Sequence, residues 1–309
     1  MTTLFLSALA VLLSGPVPAL LGRTPLLRRV PRAAVTLWQS VSLAAVLSAL
    51  GAGLSLVTDR GTREGWTGYG VALLALLLTA VVLGRMLLSG HRVGTRIRAV
   101  RRRHRDLVDL LATREHEAPE RASVPAGRTA EAGVRVLAAQ APLAYCLPGL
   151  ARSRVVVSAG TFDRLAPEEV GAVLAHERAH LRARHDLLLE AFTVLHTAFP
   201  RFVSSATALR EVRLLVEVLA DRAARRTHGR LPVARALVAL ADSRAPEAAL
   251  AAGGARLVER IRLLEDDRPH RLLAVAVYAA AAATVVLPTA FVALPWLAGL
   301  TWLPGVAAG

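Results

Sequence analysis

Four long apolar stretches divide the chain into parts with different solvent preferences. They cover residues 4–21, 33–57, 69–88 and 272–300, and each has roughly the 20 residues that cross a bilayer core of about 30 Å. The last stretch contains Pro288 and Pro295, which helices in lipid tolerate better than helices in water. The pattern predicts a polytopic membrane protein, mainly α-helical, with about four transmembrane helices.

The first apolar stretch has a competing interpretation as a cleavable signal peptide. That interpretation fits less well, because no basic residue precedes the apolar run and Pro16 and Pro18 interrupt its end. We therefore expect 4–21 to be a membrane span.

Only the region between the third and fourth apolar stretches is polar enough to form a globular domain. We divide the chain into 1–95 with three spans, a domain at 96–271, and 272–309 with the fourth span and a short tail. The middle segment is long enough to bury its own core.

Within the domain, the residue pattern predicts two strands followed by helices. Short β-branched runs at 134–138 and 154–158 predict the strands. The sequence does not decide whether the second is an edge strand or an internal strand. Residues 114–133, rich in Glu, Ala, Pro, Gly and Arg, predict a linker. The expected helices are 167–199, stopped by Pro200, 209–228, ended by Gly229 and Pro232, and an amphipathic helix at 256–264.

The distribution of arginine predicts the orientation in the membrane. In the loop between the second and third spans the acidic and basic residues nearly cancel in charge. The loop between the first and second spans and the segment after the third span are both basic. We therefore expect the first loop and the domain to be cytoplasmic, in a multi-pass protein of the cell membrane. The basic residues are Arg23, Arg28, Arg29 and Arg32 in the first loop, and Arg92, Arg96, Arg98, Arg101, Arg102, Arg103 and Arg105 after the third span.

Composition agrees with a membrane location and argues against a nucleic-acid role. The mean hydropathy is +0.46 and the net charge is +15, with every basic residue an arginine. Aromatic residues make up only 4% of the chain, which is little for base stacking. We expect the partners to be a lipid bilayer and a protein or peptide, not nucleic acid. The single cysteine, Cys146, is expected to be a small apolar residue and not a nucleophile.

The chemistry of the chain centres on His176-Glu177-Arg178-Ala179-His180, a match to H-E-x-x-H in a helix-patterned run. Positions i and i+4 lie on one helix face, so His176 and His180 can bind the same metal ion. Glu177 is turned away from coordination, which suits a carboxylate that holds and deprotonates a water molecule beside the metal.

A catalytic zinc usually takes three protein ligands, so the histidines need a partner. Asp186 stands where H-E-x-x-H-x-x-G-x-x-H proteins place theirs, but the turn there uses glycine and this chain has Ala183. We expect the helix to continue past Ala183 and carry Asp186 away. Glu217, on a separate predicted helix, is therefore the favoured third ligand, although a salt bridge with Arg213 would also explain it.

Several further residues are expected around the ligands. Asp221 lies one turn after Glu217 and can accept a hydrogen bond from a ligand histidine. His185 and Asp186 are also expected behind the ligands, and His185, Arg222 and His228 are candidates for stabilising an oxyanion.

These motifs resemble the membrane-embedded zinc metallopeptidases of the BlaR/MecR antirepressor type. The resemblance covers about residues 85–300 and includes the spans, with three before the domain and one after it. HtpX-like membrane peptidases share the zinc motif and the Glu-x-x-x-Asp pattern and are the nearest alternative. The motifs are the run from Val170 to His180 with Arg184-His185-Asp186, Ala144 to Gly149, Val155 to Gly160, and Glu217 to Asp221.

The resemblance implies a cytoplasmic α+β domain of the zincin type and the hydrolysis of peptide bonds. It implies zinc bound by His176, His180 and Glu217, with Glu177 as general base, and a signalling substrate such as a transcriptional repressor or the enzyme itself. The alternatives are an HtpX-like quality-control protease and, in another class, a non-catalytic scaffold with a structural zinc. Sensor members of the family carry an extracellular domain after the last span, and this chain ends at Gly309, so we do not expect a β-lactam sensor.

Overall fold

The computed structural model describes residues 1–61, 65–114, 133–149, 153–200, 204–242, 250–266 and 268–300. Packing contacts group the chain into two compact units. Residues 1–91, 192–212 and 270–309 form the first, which we call the span unit. Residues 92–191 and 213–269 form the second, which we call the sheet unit. The predicted linker at 114–133 lies almost entirely outside the described residues.

Among the described residues, four helical segments are long and apolar enough to cross a membrane: 2–21, 31–58, 66–110 and 271–293. The four predicted spans are therefore confirmed by length and composition. The first segment is two helices, α1 (Thr2–Ser14) and α2 (Pro16–Leu21), since Pro16 has no N–H with which to continue α1. The others belong to α3 (Pro31–Gly61), α4 (Trp66–Leu111) and α11 (Arg271–Leu300).

Helix α3 lies at the centre of the span unit, where α1 and α11 pack against it. Its residues Trp38 and Val41 are almost fully buried. Arg85 of α4 lies near the end of its span, a position from which an arginine is expected to reach the water interface. Its Nε donates to the carbonyl of Ala198, 3.0 Å away. Ser89 donates to the carbonyl of Val194 at 2.8 Å. Two polar side chains of an apolar helix thus satisfy carbonyls near the end of a second helix, α7 (His185–Ala198).

The sheet unit contains a four-stranded mixed sheet with strand order β1-β2-β4-β3. Strand β2 pairs in parallel with β4, while β1 and β3 are antiparallel to their neighbours. The two predicted strands are found, and the second is internal, which answers the question that the sequence leaves open. The strands are β1 (Ala112–Arg114), β2 (Gly133–Leu137), β3 (Ala144–Leu147) and β4 (Arg154–Ser158).

Both faces of the sheet are covered. On one face Ala144, Val155 and Val157 pack with Val173 of helix α6 (Pro167–Arg182) in one buried cluster. On the other face Leu147 and Val156 pack with Val108, near the end of α4. Burial on both sides explains the continuous apolar run of β4, Val155 to Val157, which lacks the alternation of a strand with one wet face.

The helix predicted over 167–199 is wrong as a single element. Helix α6 ends at Arg182, and α7 begins at His185. Arg184 has a φ of 50° between them, which is the left-handed conformation that glycine would adopt more readily. The turn therefore forms without glycine, and the expectation that α6 would continue through Ala183 is incorrect.

Two of the remaining helices, Ser205–His228 and Leu250–Glu265, correspond to the predicted helices at 209–228 and 256–264 and are longer, whereas the helices Ala159–Arg164 and Arg230–Asp242 are not predicted from the sequence. Gly229, at a φ of 81°, ends α8, as the sequence predicts, but Pro232 lies in the first turn of α9 and so does not end a helix. The helices are α5 (Ala159–Arg164), α8 (Ser205–His228), α9 (Arg230–Asp242) and α10 (Leu250–Glu265).

Gly160 provides a test of the packing around β4. A Cβ atom there would overlap the backbone carbonyl of Gln140, while the Gly160 amide donates to the carbonyl of Ala139 at 2.9 Å. We expect Gly160→Ala to lower the free energy of unfolding by about 1–3 kcal/mol, measured by unfolding in detergent. Gly254→Ala in α10 is the control, since a Cβ there meets no atom within 4 Å. It should be neutral or stabilising, and equal destabilisation by both variants would contradict the packing argument.

Candidate active site

Helix α6 carries the H-E-x-x-H motif on the side that does not pack against the sheet. Pro167 occupies the first turn, and the Glu169 carboxylate accepts a hydrogen bond from the Ala166 amide at 3.0 Å. Val170, Val173 and Leu174 bury one face against the sheet. This anchoring fixes the rotation of the helix, so His176 and His180 project together from a neighbouring face.

Three predicted ligands converge. Ligand atoms of His176, His180 and Glu217 lie within 4.8 Å of one another, which is the metal-binding arrangement found among the described residues. Nε2 of His176 is 3.1 Å from Nε2 of His180, and each nitrogen is 3.6 Å from an oxygen of Glu217. Helix α8 supplies the glutamate, as the sequence predicts.

The spacing suits zinc. Two atoms that are each about 2.0–2.1 Å from a tetrahedral zinc ion are about 3.3 Å apart. The nitrogen–nitrogen separation of 3.1 Å and the two nitrogen–oxygen separations of 3.6 Å, each to a different oxygen of Glu217, lie close to that value. Two imidazole nitrogens and one carboxylate oxygen are also the donors that a catalytic zinc takes while leaving a fourth position open.

The far nitrogen of His176 faces a buried carboxylate. Its Nδ1 lies 2.9 Å from Oδ1 of Asp221, a side chain that is 1% exposed. The nearby carboxylate favours a proton on Nδ1, so a metal-bound His176 would use Nε2 towards the cluster. Asp221 thus takes the position that the sequence predicts for it.

His185 faces the far nitrogen of the other ligand histidine. Nδ1 of His185 is 3.0 Å from Nδ1 of His180, and His185 is buried. Because both atoms are ring nitrogens, one carries the proton and the other accepts it. If His180 binds a metal through Nε2, it donates from Nδ1, and His185 would then accept through Nδ1 and carry its own proton on Nε2.

Asp186 lies away from the cluster. Its carboxylate is held by Arg101 of α4 at 3.1 Å and faces Arg184 Nε at 3.4 Å. The turn at Arg184, and not a continuing helix, sets its position. A helix that continues past Ala183 is therefore not the reason why Asp186 lies apart from the ligands, and that expectation is wrong. Glu217 lies with the two histidines in its place.

One participant, Arg260 of α10, is missed by the sequence analysis. Its guanidinium donates to both oxygens of Asp221, at 2.7 and 2.6 Å, and its Nη1 is 3.1 Å from Glu217. The sequence separates Arg260 from these acids by about forty positions and offers many other arginines, so only the amphipathic pattern of α10 pointed towards it. The salt bridge proposed for Glu217 thus exists, but with Arg260 in place of Arg213.

The electrostatics of the cluster favour a cation between the ligands. Burial opposes charge on His176, but the carboxylates of Asp221 and Glu217 raise its pKa to about 9. Burial lowers the pKa of His180 to about 4. Burial also opposes ionisation of Glu217, yet His176 and Arg260 lower the pKa of that carboxyl to about 2. At neutral pH the acids are therefore ionised, and the negative potential draws positive charge to the ligands.

Glu177 and Cys146 share the cavity with the ligands. Burial, and then the Glu177 carboxylate, raise the pKa of the Cys146 thiol far above its ordinary range. A neutral thiol is a poor nucleophile, in agreement with the expectation from the sequence.

A cavity of about 620 Å³ opens over the cluster. His176, Glu177, His180 and Glu217 line it together with Tyr145 and Cys146 of β3, an edge strand of the described sheet. The other candidates for oxyanion stabilisation, Arg222 and His228, are not among its described lining residues. The ring of His228 instead packs beside Gly171, where a Cβ would lie 2.7 Å from it.

Comparison with known families agrees with this geometry. Residues 111–264 match the family model of Peptidase family M48. No curated protein and no solved structure matches the chain. The family match does not distinguish the BlaR/MecR type from the HtpX-like type. It contains all the residues of the cluster, and peptidases of this family bind zinc, which the donors of His176, His180 and Glu217 suit. Residues 111–264, just under half of the chain, are thus similar to Peptidase family M48, and this match indicates that the chain is a zinc metalloprotease, a hydrolase that acts on peptide bonds.

Proposed function

We propose that this metalloprotease is a membrane endopeptidase that cuts a cytoplasmic or membrane-proximal protein, with His176, His180 and Glu217 as zinc ligands and Glu177 as general base. The observation that carries the proposal is the shared cavity, in which a three-ligand cluster and the carboxylate of Glu177 lie beside an edge strand of the described sheet. A purely structural zinc site has no need of Glu177, which argues against the scaffold alternative.

Glu177 performs the proton transfers in this proposal. Zinc, when bound, lowers the pKa of water and polarises a carbonyl group. Glu177 follows His176 on α6 and lines the same cavity. It is not one of the three residues whose ligand atoms converge. It takes a proton from the attacking water and returns it to the leaving amine.

The residues behind the ligands keep them oriented. Asp221 holds His176 through Nδ1, and His185 holds His180 through its Nδ1. Arg260 bridges Asp221 and Glu217, so the ligand from α8 and the partner of His176 move as one unit. Such partners fix the tautomer and direction of a ligand ring.

Strand β3 is the proposed guide for the substrate backbone. It is an edge of the described sheet, and its residues Ala144, Tyr145 and Cys146 line the cavity. An extended peptide can pair with such an edge through main-chain hydrogen bonds. The pairing uses main-chain N–H and C=O groups, which occur along the whole of a substrate chain. It therefore suits cleavage within a chain.

The proposed orientation of the chain in the membrane is based on the distribution of its arginine residues. Basic residues lie in the first loop and at the start of the sheet unit, which supports a cytoplasmic position for the domain at 96–271. Three spans precede it and one follows, as in the BlaR/MecR resemblance. We therefore propose a cytoplasmic signalling protein, such as a repressor or the enzyme itself, as substrate.

Replacing Glu177 with Gln should abolish cleavage and leave zinc bound. The amide keeps the size of the side chain but cannot take a proton at neutral pH. We expect peptide hydrolysis to fall at least about a hundredfold, consistent with the usual contribution of a general base, with unchanged zinc content by elemental analysis. Glu168→Gln, an exposed residue of the same helix, is the matched control. Equal activity in both variants would rule out Glu177 as the base.

Replacing Glu217 with Ala should lower zinc content, whereas Asp186→Asn should retain it. Glu217 supplies the third donor, while Asp186 is held by Arg101. Zinc per protein is measured after dialysis against a weak chelator, with unfolding curves to confirm that both variants are folded. Full zinc in Glu217→Ala together with loss in Asp186→Asn would reverse the assignment.

The topology is tested with reporters that are active on one side of the membrane only. An alkaline phosphatase fusion near Pro119 should be inactive and a fluorescent protein there should be active, because the segment is expected in the cytoplasm. A fusion after Gly309 should give the opposite pattern. Phosphatase activity at Pro119 would contradict the orientation without affecting the assignment of the site.

A further inference from the structure

The cavity over the metal cluster extends beyond the catalytic groups into an apolar recess. Its wall is formed by Val173 of α6, by Val233, Leu237 and Leu240 of α9, and by Leu257 of α10. Val173 and Val233 belong to buried clusters of the core, so this part of the wall is rigid. The recess is continuous with the ligands, since His176 and Glu217 line the same cavity.

Small residues leave the recess open. Ala172, Ala236 and Ala241 contribute only a methyl group each, and Gly254 contributes none. A Cβ atom built on Gly254 meets nothing within 4 Å, so a side chain there would enter free space. The available volume therefore results from the choice of small residues on three helices.

Outside the catalytic cluster, the described lining of the recess contains a cation and no acid. Among the described lining residues the acids are Glu177 and Glu217, which belong to the catalytic cluster, while Arg256 and Arg260 are cations. Arg260 is engaged by Asp221 and Glu217, and Arg256 stands one turn earlier on the same face of α10. A lysine or arginine side chain in the recess would lose water and meet like charge.

We infer that the recess is a specificity site for a large aliphatic or aromatic side chain next to the scissile bond, and that it rejects basic side chains. This inference rests on the proposed endopeptidase function and adds its substrate class. A substrate chain paired with β3 would pass the ligands and place one of the two residues that flank the cut in the recess. The occupant is an apolar side chain because the described wall offers apolar contacts, and its two carboxylates, Glu177 and Glu217, belong to the catalytic cluster.

The test uses quenched fluorescent peptides that vary one flanking position at a time, with zinc-loaded full-length protein in detergent. Norleucine and lysine form the matched pair, since their chains are similar in length and differ in charge. At one flanking position, kcat/KM should be at least about tenfold higher for leucine than for alanine and about a hundredfold higher for norleucine than for lysine. Equal values at both positions would overturn the inference.

Two variants connect any preference to the recess. Gly254→Leu fills it and should bring the leucine-to-alanine ratio close to one. Leu240→Ala enlarges it and should raise kcat/KM for tryptophan relative to leucine. Leu231→Ala is the control, because Leu231 lies on the same helix α9 but is 57% exposed and outside the described lining. An unchanged ratio in both Gly254→Leu and Leu240→Ala, with normal unfolding curves, would place the specificity elsewhere.

Binding to the Glu177→Gln protein separates the two hypotheses. The same norleucine and lysine peptides, without cleavage, are titrated by fluorescence anisotropy. Selective binding without hydrolysis by the wild-type protein would retain the recess and reject the peptidase mechanism. Hydrolysis without selectivity would retain the mechanism and reject the recess.

Discussion

Two carboxylates one turn apart on helix α8, Glu217 and Asp221, impose the constraint on which the site depends. Asp221 is almost fully buried, and an ionised carboxylate in that position is costly unless it is paired and hydrogen-bonded. Arg260 donates to both carboxylate oxygens of Asp221, and Nδ1 of His176 lies 2.9 Å from one of them. With both histidines neutral, the carboxylates of Glu177, Glu217 and Asp221, the Arg260 cation and a zinc dication would sum to a formal charge of zero, so a metal bound there would balance the site. Without the metal, the raised pKa of His176 favours its protonated form, which supplies part of the missing positive charge.

This balance requires three helices to keep their positions. Helix α6 brings the histidines, α8 brings the acids, and α10 brings Arg260. The rotation of α6 is fixed by its apolar face on the sheet, and Ala172 of α6 packs in one buried cluster with Ala224 of α8 and Leu264 of α10. The same small and branched residues that bury these helices also place the ligands. Substitutions in that cluster would therefore disturb zinc binding as well as stability.

The sequence predicts the parts of this site that depend on local spacing. H-E-x-x-H places two histidines on one helix face, and Glu217 and Asp221 lie one turn apart, so both pairs can be recognised without a fold. The apolar spans are equally local. Arg260 could not be identified, because its role depends on the packing of α10 against α8, and 38 basic residues are available.

The break at Arg184 escaped prediction for a different reason. Propensity places glycine in a left-handed turn, but the penalty for another residue is only about 1–2 kcal/mol, which tertiary contacts can offset. Here His185 is buried against His180, and Asp186 lies near Arg101 and Arg184. A weak local preference was thus outweighed by contacts that the linear sequence does not display. The same applies to β3, a four-residue strand whose pairing with β4 is non-local.

In the proposed binding mode, an edge strand beside an apolar recess restricts the kind of protein that can be cut. Pairing with β3 requires the substrate backbone to be extended, with its own hydrogen-bonding groups free. Residues inside a helix or a sheet do not meet that condition, whereas linkers and locally unfolded segments do. An apolar side chain of the kind that fits the recess is normally buried in a folded protein. Exposure of such a residue in an extended segment is therefore the structural property that would mark a substrate, whether it arises by misfolding or by a regulated opening of a folded domain.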